Sequence, residues 1–222
     1  MSSFARVRDW VFDLDNTLYP AAVTLYDDVG VRMTEYIARA LGVGDDEALV
    51  LRERYFHQYG ATVAGLALHH GVDAADFLEY VHDIAPDMLT PDRELNALIA
   101  ALPGRRIVFT NGGGGHARRV LAQLELSTHF ERVCDIETGG LTPKPQRGAY
   151  ERLVAQCGLD PTRTVLIEDT LRNLEPAHEM GFVTVLVGPV HPAPLPAYVH
   201  HYAHDLTAFL RSVVSAPRAA AP

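Results

Sequence analysis

Apolar and polar residues alternate in two different ways along the chain, and each pattern occupies its own part of the sequence. Residues 26–41 carry apolar side chains at the three- and four-residue spacing of an amphipathic helix. Three more helical stretches, separated by glycines, follow at residues 46–59, 62–69 and 74–84. From residue 92 onward, short apolar runs alternate with helical stretches. The chain is therefore predicted to contain an all-helical segment followed by alternating strands and helices.

The alternating part predicts a parallel sheet, because strands joined by helices form right-handed crossovers. A buried strand at residues 10–12 precedes the helical segment and belongs to the same sheet. The other predicted elements are strands at 106–110, 133–137, 165–169 and 182–187, and helices at 92–102, 116–124, 148–157 and 171–180. The predicted fold class is α/β: a Rossmann-like open parallel sheet with helices on both faces and a small α-helical cap domain inserted after the first strand.

The domain boundaries follow from this pattern. Residues 1–20 and 92–215 form the predicted core, residues 21–91 the α-helical cap, and residues 216–222 a frayed tail. Residues 200–204 are expected to lead from a strand into a last helix that Asp205 caps.

Composition and charge limit the classes of partner. The 222 residues are 48% hydrophobic and 21% charged, which is typical of a folded globular protein. The formal charge of −9, without a basic stripe, argues against a nucleic-acid polymer, although a small anion could bind locally. The apolar run after Arg8 stops at Asp13, too early for a signal-peptide core or a membrane span. We therefore expect a cytoplasmic protein without a membrane partner.

Candidate chemistry begins where the first strand ends, at Asp13 and Asp15. Open α/β sheets bind ligands at the carboxyl ends of their strands, so two acids at this position indicate a site. The alternative is that Asp15 and Asn16 serve only as turn formers and caps.

Two further segments carry groups that suit a phosphate. Thr110, Asn111 and Gly112 offer a hydroxyl, an amide and an unobstructed backbone N–H just before a helix. Lys144 stands between two prolines, which stiffen the backbone and could aim its ammonium group. The alternative for Lys144 is a solvated surface charge.

A second acid pair, Glu168 and Asp169, follows a later buried run. A hard cation such as Mg²⁺ takes one or two carboxylates with phosphate oxygen and water, so Asp13 and Asp169 from neighbouring strand ends would form a plausible Mg²⁺ site. Helix capping by Asp169 is the competing explanation.

In this order and context, the acid pair, Thr-Asn, Lys and second acid pair resemble the four motifs of the haloacid dehalogenase superfamily. The resemblance covers most of the chain, and residues 12–18 are its most specific part. Within the superfamily the chain is most similar to the pyrimidine 5′-nucleotidase group, on the basis of residues 18–20, 59–66 and 116–121.

The resemblance implies a role for each motif. Asp13 would be the nucleophile that forms an aspartyl-phosphate, and Asp15 the general acid and then the general base. Asp15 is expected to have a raised pKa beneath the cap. Thr110 and Asn111 would bind the transferring phosphoryl group, and Lys144 would neutralise charge on it and on Asp13.

The resemblance also implies a metal site and a function. Mg²⁺ would be held by Asp13, Asp169 and the backbone carbonyl of Asp15, with Glu168 as a further candidate. The implied function is a Mg²⁺-dependent phosphatase for small phosphate monoesters, with UMP or CMP as candidate substrates. Relatives that cleave carbon–halogen bonds lack an acid at the position of Asp15. A sugar phosphomutase and a non-catalytic binding or regulatory module are the alternatives.

The cap would choose the substrate, because the sheet motifs contact only phosphate and metal. The candidate specificity residues are Tyr26, Tyr59, Thr62 and Leu66. Tyr36 and Tyr55 are expected to lie in the core of the cap instead.

Overall fold

In a computed structural model of the protein, residues 4–215 are described, and their centre is a six-stranded parallel sheet. The strands are β1 (Asp9–Phe12), β2 (Arg105–Phe109), β3 (Arg132–Cys134), β4 (Thr164–Glu168), β5 (Val183–Val187) and β6 (His201–Ala203). Their order is β3-β2-β1-β4-β5-β6, and every neighbouring pair is parallel. The first strand of the chain therefore lies inside the sheet, which confirms the predicted α/β fold class.

Helices cover both faces of the sheet. The described residues form α1 (Leu25–Leu41), α2 (Asp45–Tyr59), α3 (Thr62–His70), α4 (Ala74–Val81), α5 (Arg93–Ala101), α6 (Gly114–Gln123), α7 (Arg147–Cys157), α8 (Leu174–Glu179) and α9 (Leu206–Ser215). Helices α5, α6 and α9 share one apolar core with the sheet, and α7 and α8 share the other. Across residues 4–215, no helix is long and apolar enough to cross a membrane.

Strand β1 is buried on both faces, which explains its uninterrupted apolar run. Trp10 packs into one core and Val11 into the other. Pairing continues one residue beyond β1, because the N–H of Asp13 donates to the carbonyl of Ile167 at 2.9 Å. Asn16 then adopts a left-handed conformation with φ of 65°, which asparagine tolerates better than most residues. The turn places Asp13 directly after the carboxyl end of β1 and Asp15 two residues further on.

The predicted helical insertion is present as α1 to α4, and it has its own apolar core. Tyr36 and Tyr55 lie in that core, as expected, with rings packed against other cap aromatics. Leu66 is also fully buried there. The cap therefore has a small hydrophobic core distinct from the two cores of the sheet.

One strand prediction needs correction, and one short strand was not predicted. The predicted strand 133–137 ends at Cys134, because the Asp135 carboxylate accepts the N–H of Thr138 at 2.8 Å and closes a turn. Residues 201–203 form the edge strand β6, which is too short to show a period-two pattern in the sequence. Asp205 caps the last helix as predicted, since its carboxylate accepts the N–H of Ala208 at 2.7 Å. The predicted tail at 216–222 lies outside the described residues.

Candidate active site

A cavity of about 510 Å³ lies between the carboxyl ends of the central strands and the cap. It is lined by every residue predicted for catalysis, phosphate or metal: Asp13, Asp15, Thr110, Asn111, Gly112, Lys144, Glu168 and Asp169. The cap contributes Tyr26 and Thr62 from the predicted specificity set. Strand ends that are distant in sequence thus meet at one edge of the sheet.

Lys144 is the centre of a buried group of charges, which we call the lysine cluster: Asp13, Lys144, Glu168 and Asp169. Its ammonium donates to Asp13 Oδ1 at 2.6 Å, Glu168 Oε2 at 2.7 Å and the carbonyl of Phe109 at 2.9 Å. These three acceptors match its three protons, and Lys144 is only 1% exposed. Burial alone would lower the pKa of Lys144, but the charges of Asp13 and Glu168 raise it above its usual value. Lys144 is thus a buried ammonium and not the solvated surface charge of the alternative reading.

Two carboxyl groups of the lysine cluster, those of Asp13 and Asp169, have raised pKa values. Burial and the charge of Glu168 raise the pKa of Asp13 to about 7, although Lys144 opposes this shift. Burial and the charges of Glu168 and Asp13 raise the pKa of Asp169 to about 9. One ammonium therefore does not balance three acids packed in a low-dielectric site.

The lysine cluster fits a hard divalent cation. One oxygen from each of Asp13, Glu168 and Asp169 lies within 4.8 Å of the other two. The side-chain oxygen of Asn173, which also lines the cavity, is buried and has no hydrogen-bond partner among residues 4–215. Oxygen donors and excess negative charge are what Mg²⁺ requires from a protein.

Asp15 belongs to a second group, which we call the histidine cluster: Asp15, Tyr19, His82 and His116. The Tyr19 hydroxyl donates to Asp15 Oδ1 at 2.6 Å, and His116 Nε2 lies 2.7 Å from the same oxygen. A carboxylate only accepts, so Nε2 of His116 carries the hydrogen. The ring of His82, which follows α4 of the cap, stacks on His116 with centroids 4.4 Å apart and an interplanar angle of 18°.

The histidine cluster changes the expected behaviour of Asp15. Burial alone would raise the pKa of this carboxyl, but the charge and hydrogen bond of His116 and the hydrogen bond of Tyr19 lower it below its usual value. The expectation of a raised pKa is therefore wrong for the free protein. In contrast, burial and the charge of His116 lower the pKa of His82 to about 3, so that ring is neutral.

The structure assigns internal partners to part of the predicted phosphate-binding set. The Asn111 side chain donates to the carbonyls of Gly60 and Lys144 at 3.2 and 3.0 Å and accepts the N–H of Lys144 at 2.8 Å. The N–H of Gly112 donates to the Thr110 hydroxyl oxygen at 2.9 Å. The Asn111 side chain thus holds the backbone at Lys144, and the Gly112 N–H orients the Thr110 hydroxyl. Neither group points freely into the cavity.

Other donors at the same strand ends remain available. Among residues 4–215, the backbone N–H groups of Asp15 and Asn111 donate to no acceptor. The hydroxyl of Thr110 is buried at the cavity and accepts a hydrogen bond, which leaves its own proton free to donate. These three groups are candidate donors to the oxygens of a bound anion.

Two predicted specificity residues lie away from the cavity. Leu66 faces the cap core, because the helical register of α3 turns it toward the other cap helices. Tyr59 packs against Tyr55, and its hydroxyl bonds to His69. Thr62 lines the cavity, but its hydroxyl donates to the carbonyl of Arg52 at 3.1 Å.

Sequence reasoning did not assign a role in the site to several cavity residues. These are Arg52, Phe56, His82, His116 and Arg172. A signal existed for His116, because it lies in the first turn of a helix that starts at the carboxyl edge of the sheet, near Thr110. No local pattern marks the other four: Arg52, Phe56 and His82 reach the cavity through the packing of the cap on the core, and Arg172 follows the carboxyl end of β4.

The carboxyl end of α2 holds the cap on the core. Arg172 donates to the carbonyl of Phe56 at 3.1 Å, and Asn111 donates to that of Gly60. Gly60 has φ of 91°, and a Cβ there would lie 2.1 Å from the carbonyl oxygen of Lys144. Only glycine permits this approach, so the cap directly contacts the loop that carries the buried lysine.

A parallel sheet with a helical insertion above a buried lysine and clustered carboxylates defines a class of capped α/β proteins. The model of the haloacid dehalogenase-like hydrolase family matches residues 10–181. The chain therefore belongs to the haloacid dehalogenase-like hydrolase family.

Individual proteins are also similar to this chain in sequence or in fold. The chain is 29% identical over 196 residues to Phosphate metabolism protein 8 of Saccharomyces cerevisiae, an alignment that covers 79% of this chain and 60% of the yeast protein. The chain thus spans less than two thirds of the length of that relative. A haloacid dehalogenase superfamily phosphatase from Thermococcus onnurineus has the same fold, with a TM-score of 0.63, 16% identity and coverage of 96% of this chain and 100% of the other. YfnB of Bacillus subtilis, solved with bound magnesium, gives a TM-score of 0.63 at 15% identity, covering 95% of this chain and 100% of the other.

Proposed function

We propose that the protein is a Mg²⁺-dependent phosphatase that hydrolyses small phosphate monoesters through an aspartyl-phosphate on Asp13. One observation carries the proposal: Asp13 and Asp15 line the same cavity but have separate partners, a buried lysine for the first and a tyrosine and a histidine for the second. Two acids with different surroundings suit two different chemical roles. The phosphatase relative from Thermococcus onnurineus supports the same reading.

The lysine cluster would hold the metal. Asp13 and Asp169 would be ligands, with Glu168, Asn173 and the backbone carbonyl of Asp15 as further candidates. A bound Mg²⁺ supplies positive charge that keeps the carboxylates ionised and offsets the charge of the phosphoryl group. Lys144 contributes a second positive charge to Asp13 from within the protein.

In the first step a carboxylate oxygen of Asp13 bonds to phosphorus as the ester P–O bond breaks. The electron pair of that bond stays on the leaving oxygen, which takes a proton from Asp15. The free N–H groups of Asp15 and Asn111 and the Thr110 hydroxyl would contact the phosphoryl oxygens during transfer.

In the second step the ionised Asp15 takes a proton from water while the water oxygen bonds to phosphorus. The bond between phosphorus and Asp13 breaks, which releases phosphate and restores the carboxylate. The lowered pKa of Asp15 keeps its carboxyl group ionised, which is the form that can accept a proton. For the first step, the negative charge of a bound phosphate raises the pKa of Asp15 and favours its protonated form.

Pyrimidine nucleoside 5′-monophosphates such as UMP and CMP are the proposed substrates. The cavity has the size of a small-molecule site, and its cap side combines the rings of Tyr26 and Phe56 with the guanidinium of Arg52. Aromatic rings offer a stacking surface for a nucleobase.

The test is phosphate release from a panel of nucleotide and sugar monophosphates, with Mg²⁺ or with a chelator. We expect Mg²⁺-dependent hydrolysis that Asp13→Asn abolishes, and a phosphoryl group on the Asp13 peptide in quenched reactions. Asp87→Asn, at an exposed position, is the matched control and should keep full activity. Hydrolysis that survives Asp13→Asn, or no hydrolysis of any ester, would refute the proposal.

The same panel tests the substrate class. Preference for hexose phosphates over UMP and CMP would reject only the nucleotide assignment. Isomerised sugar phosphate without free phosphate would instead identify a phosphomutase, because the phosphoryl group would then pass to a sugar hydroxyl and not to water.

A further inference from the structure

We propose that His116 is a positioning residue: together with Tyr19 it holds Oδ1 of Asp15, so that Oδ2 alone exchanges protons with the leaving group and with water. The inference rests on the proposed function, in which Asp15 is the acid and base.

Both donors contact the same oxygen of Asp15. Tyr19 reaches Oδ1 at 2.6 Å from within the same turn of chain, and His116 reaches it at 2.7 Å from α6. Among residues 4–215, Oδ2 receives no hydrogen bond. Two hydrogen bonds from different elements restrict the rotation of the carboxyl group, which a single bond would not do.

The space beside Oδ2 is open because residue 112 is a glycine. A Cβ on Gly112 would lie 3.5 Å from Oδ2 of Asp15 and 3.3 Å from Cδ2 of His116. Both Asp15 and Gly112 line the cavity. The free oxygen of the carboxyl group therefore faces the space that a substrate would occupy.

The imidazole of His116 is itself held in place. It is 4% exposed, and the ring of His82 stacks on it from the cap side. Arg119, one turn further along α6, donates to the backbone carbonyl of His82. The cap and α6 thus fix the ring from two sides, and its Nε2 can keep one direction toward Asp15.

If His116 positions Asp15, the loss of rate that follows from removing His116 should depend on the leaving group of the ester. An alkoxide needs a proton as it departs, whereas a nitrophenolate leaves readily as an anion. A misplaced Asp15 should therefore slow phosphoryl transfer from an alkyl ester far more than from a nitrophenyl ester. General damage to the fold would slow both equally.

The experiment compares kcat/KM for p-nitrophenyl phosphate and for an alkyl phosphate that the wild type hydrolyses, because kcat/KM reports only the steps up to phosphoryl transfer. His116→Leu should lower the value for the alkyl ester about 10²-fold relative to the aryl ester. His116→Gln retains an N–H donor and should restore most of the alkyl-ester activity. Tyr36→Phe, which removes a similar Tyr–Asp hydrogen bond inside the cap, is the matched control and should change neither value.

A second readout separates the two chemical steps. Hydrolysis of the aspartyl-phosphate needs Asp15 as a base whatever the first leaving group was. In His116→Leu, kcat should therefore fall for both esters, with a burst of nitrophenolate close to the enzyme concentration.

Equal losses of kcat/KM for the two esters would overturn the inference, as would failure of His116→Gln to restore activity. If His116→Leu does not fold, Tyr19→Phe removes the other donor and must shift the same ratio in the same direction. An unchanged ratio in a folded variant, when Asp13→Asn abolishes hydrolysis, rejects only the role of His116. If the wild type hydrolyses no phosphate ester of the panel, the proposed function fails together with this inference.

Discussion

Asp13 and Asp15 are two residues apart and line the same cavity, yet their carboxyl groups shift in opposite directions. Their side chains are similarly buried, at 9% and 11% exposed. The pKa of Asp13 is raised by burial and by Glu168, whereas that of Asp15 is lowered by His116 and Tyr19 in spite of burial. Burial therefore does not separate the two acids, but their neighbours do.

The two clusters balance charge in different ways. In the lysine cluster three acids share one ammonium, so acidic groups outnumber positive ones among its members. In the histidine cluster one acid accepts hydrogen bonds from two donors, Tyr19 and His116. The pKa of the proposed nucleophile, Asp13, is thus set mainly by burial and nearby charges, whereas that of the proposed proton-transfer group, Asp15, is set by its hydrogen-bond donors.

We expect the largest loss of stability and activity in Lys144→Met. The substitution leaves three buried acids without their ammonium, and we expect a loss of about 3–5 kcal/mol in the free energy of unfolding in chelator. Phosphate release should fall to background, and Mg²⁺ should restore part of the stability. Arg147→Met removes two exposed ion pairs, with Glu151 and Glu179, and should cost no more than about 1 kcal/mol. Equal effects of the two variants in chemical denaturation would contradict the central role of Lys144.

Asp169→Asn should change stability and activity in opposite directions. The pKa of Asp169 is raised from 3.8 to about 9, so its burial costs the wild type stability progressively as pH rises through that window without metal. The variant should have the higher Tm in chelator at alkaline pH, by about 2–4 °C for each kcal/mol of relieved repulsion. The difference should shrink toward acidic pH, while Mg²⁺ affinity and activity are lost.

Thermal unfolding across pH, with Asp87→Asn as the exposed control, measures this effect. A lower Tm for Asp169→Asn at alkaline pH in chelator would show that the acids of the lysine cluster do not repel one another.

Metal uptake should release protons only from the lysine cluster. With pKa values near 7 and 9, Asp13 and Asp169 hold protons in the metal-free protein that Mg²⁺ must displace. Mg²⁺ affinity should therefore rise with pH. Calorimetry in buffers of different ionisation enthalpy counts the released protons, and the count should fall as pH approaches 9. A heat of binding that is independent of the buffer would contradict the raised pKa values.

Gly112→Ala should have the smallest effect and should act on Thr110 and the histidine cluster, not on the lysine cluster. The added methyl group would lie 3.2 to 3.5 Å from Thr110 Oγ1, His116 Cδ2 and Asp15 Oδ2. We expect a loss of about 3–10-fold in alkyl-ester turnover, with Mg²⁺ affinity unchanged. Gly115→Ala adds a methyl that meets only the end of Arg119 at 3.5 Å, and serves as the control. Weakened Mg²⁺ binding in Gly112→Ala would show that the clusters are not independent.

The differences between prediction and structure are largest where a side chain meets a distant element. His116 contacts Asp15 across 101 residues, and no local spacing predicts that pairing. The same limit explains the Asn111 side chain, whose partners lie 51 and 33 residues away. Leu66 has a position in the helical pattern but no sequence feature that says which side of the cap it faces.

Local sequence patterns were enough to predict the alternation of strands and helices, the helical insertion, and the acids, Thr-Asn pair and lysine that follow the strands. Those features follow from local periodicity and from the rule that parallel strands end at one edge of a sheet. Tertiary structure alone decided that Lys144 is buried between Asp13 and Glu168, and that Asp15 is held by His116. The physical reason is that a pKa depends on burial and on charges within a few ångströms, and the folded chain brings those charges together from positions more than a hundred residues apart.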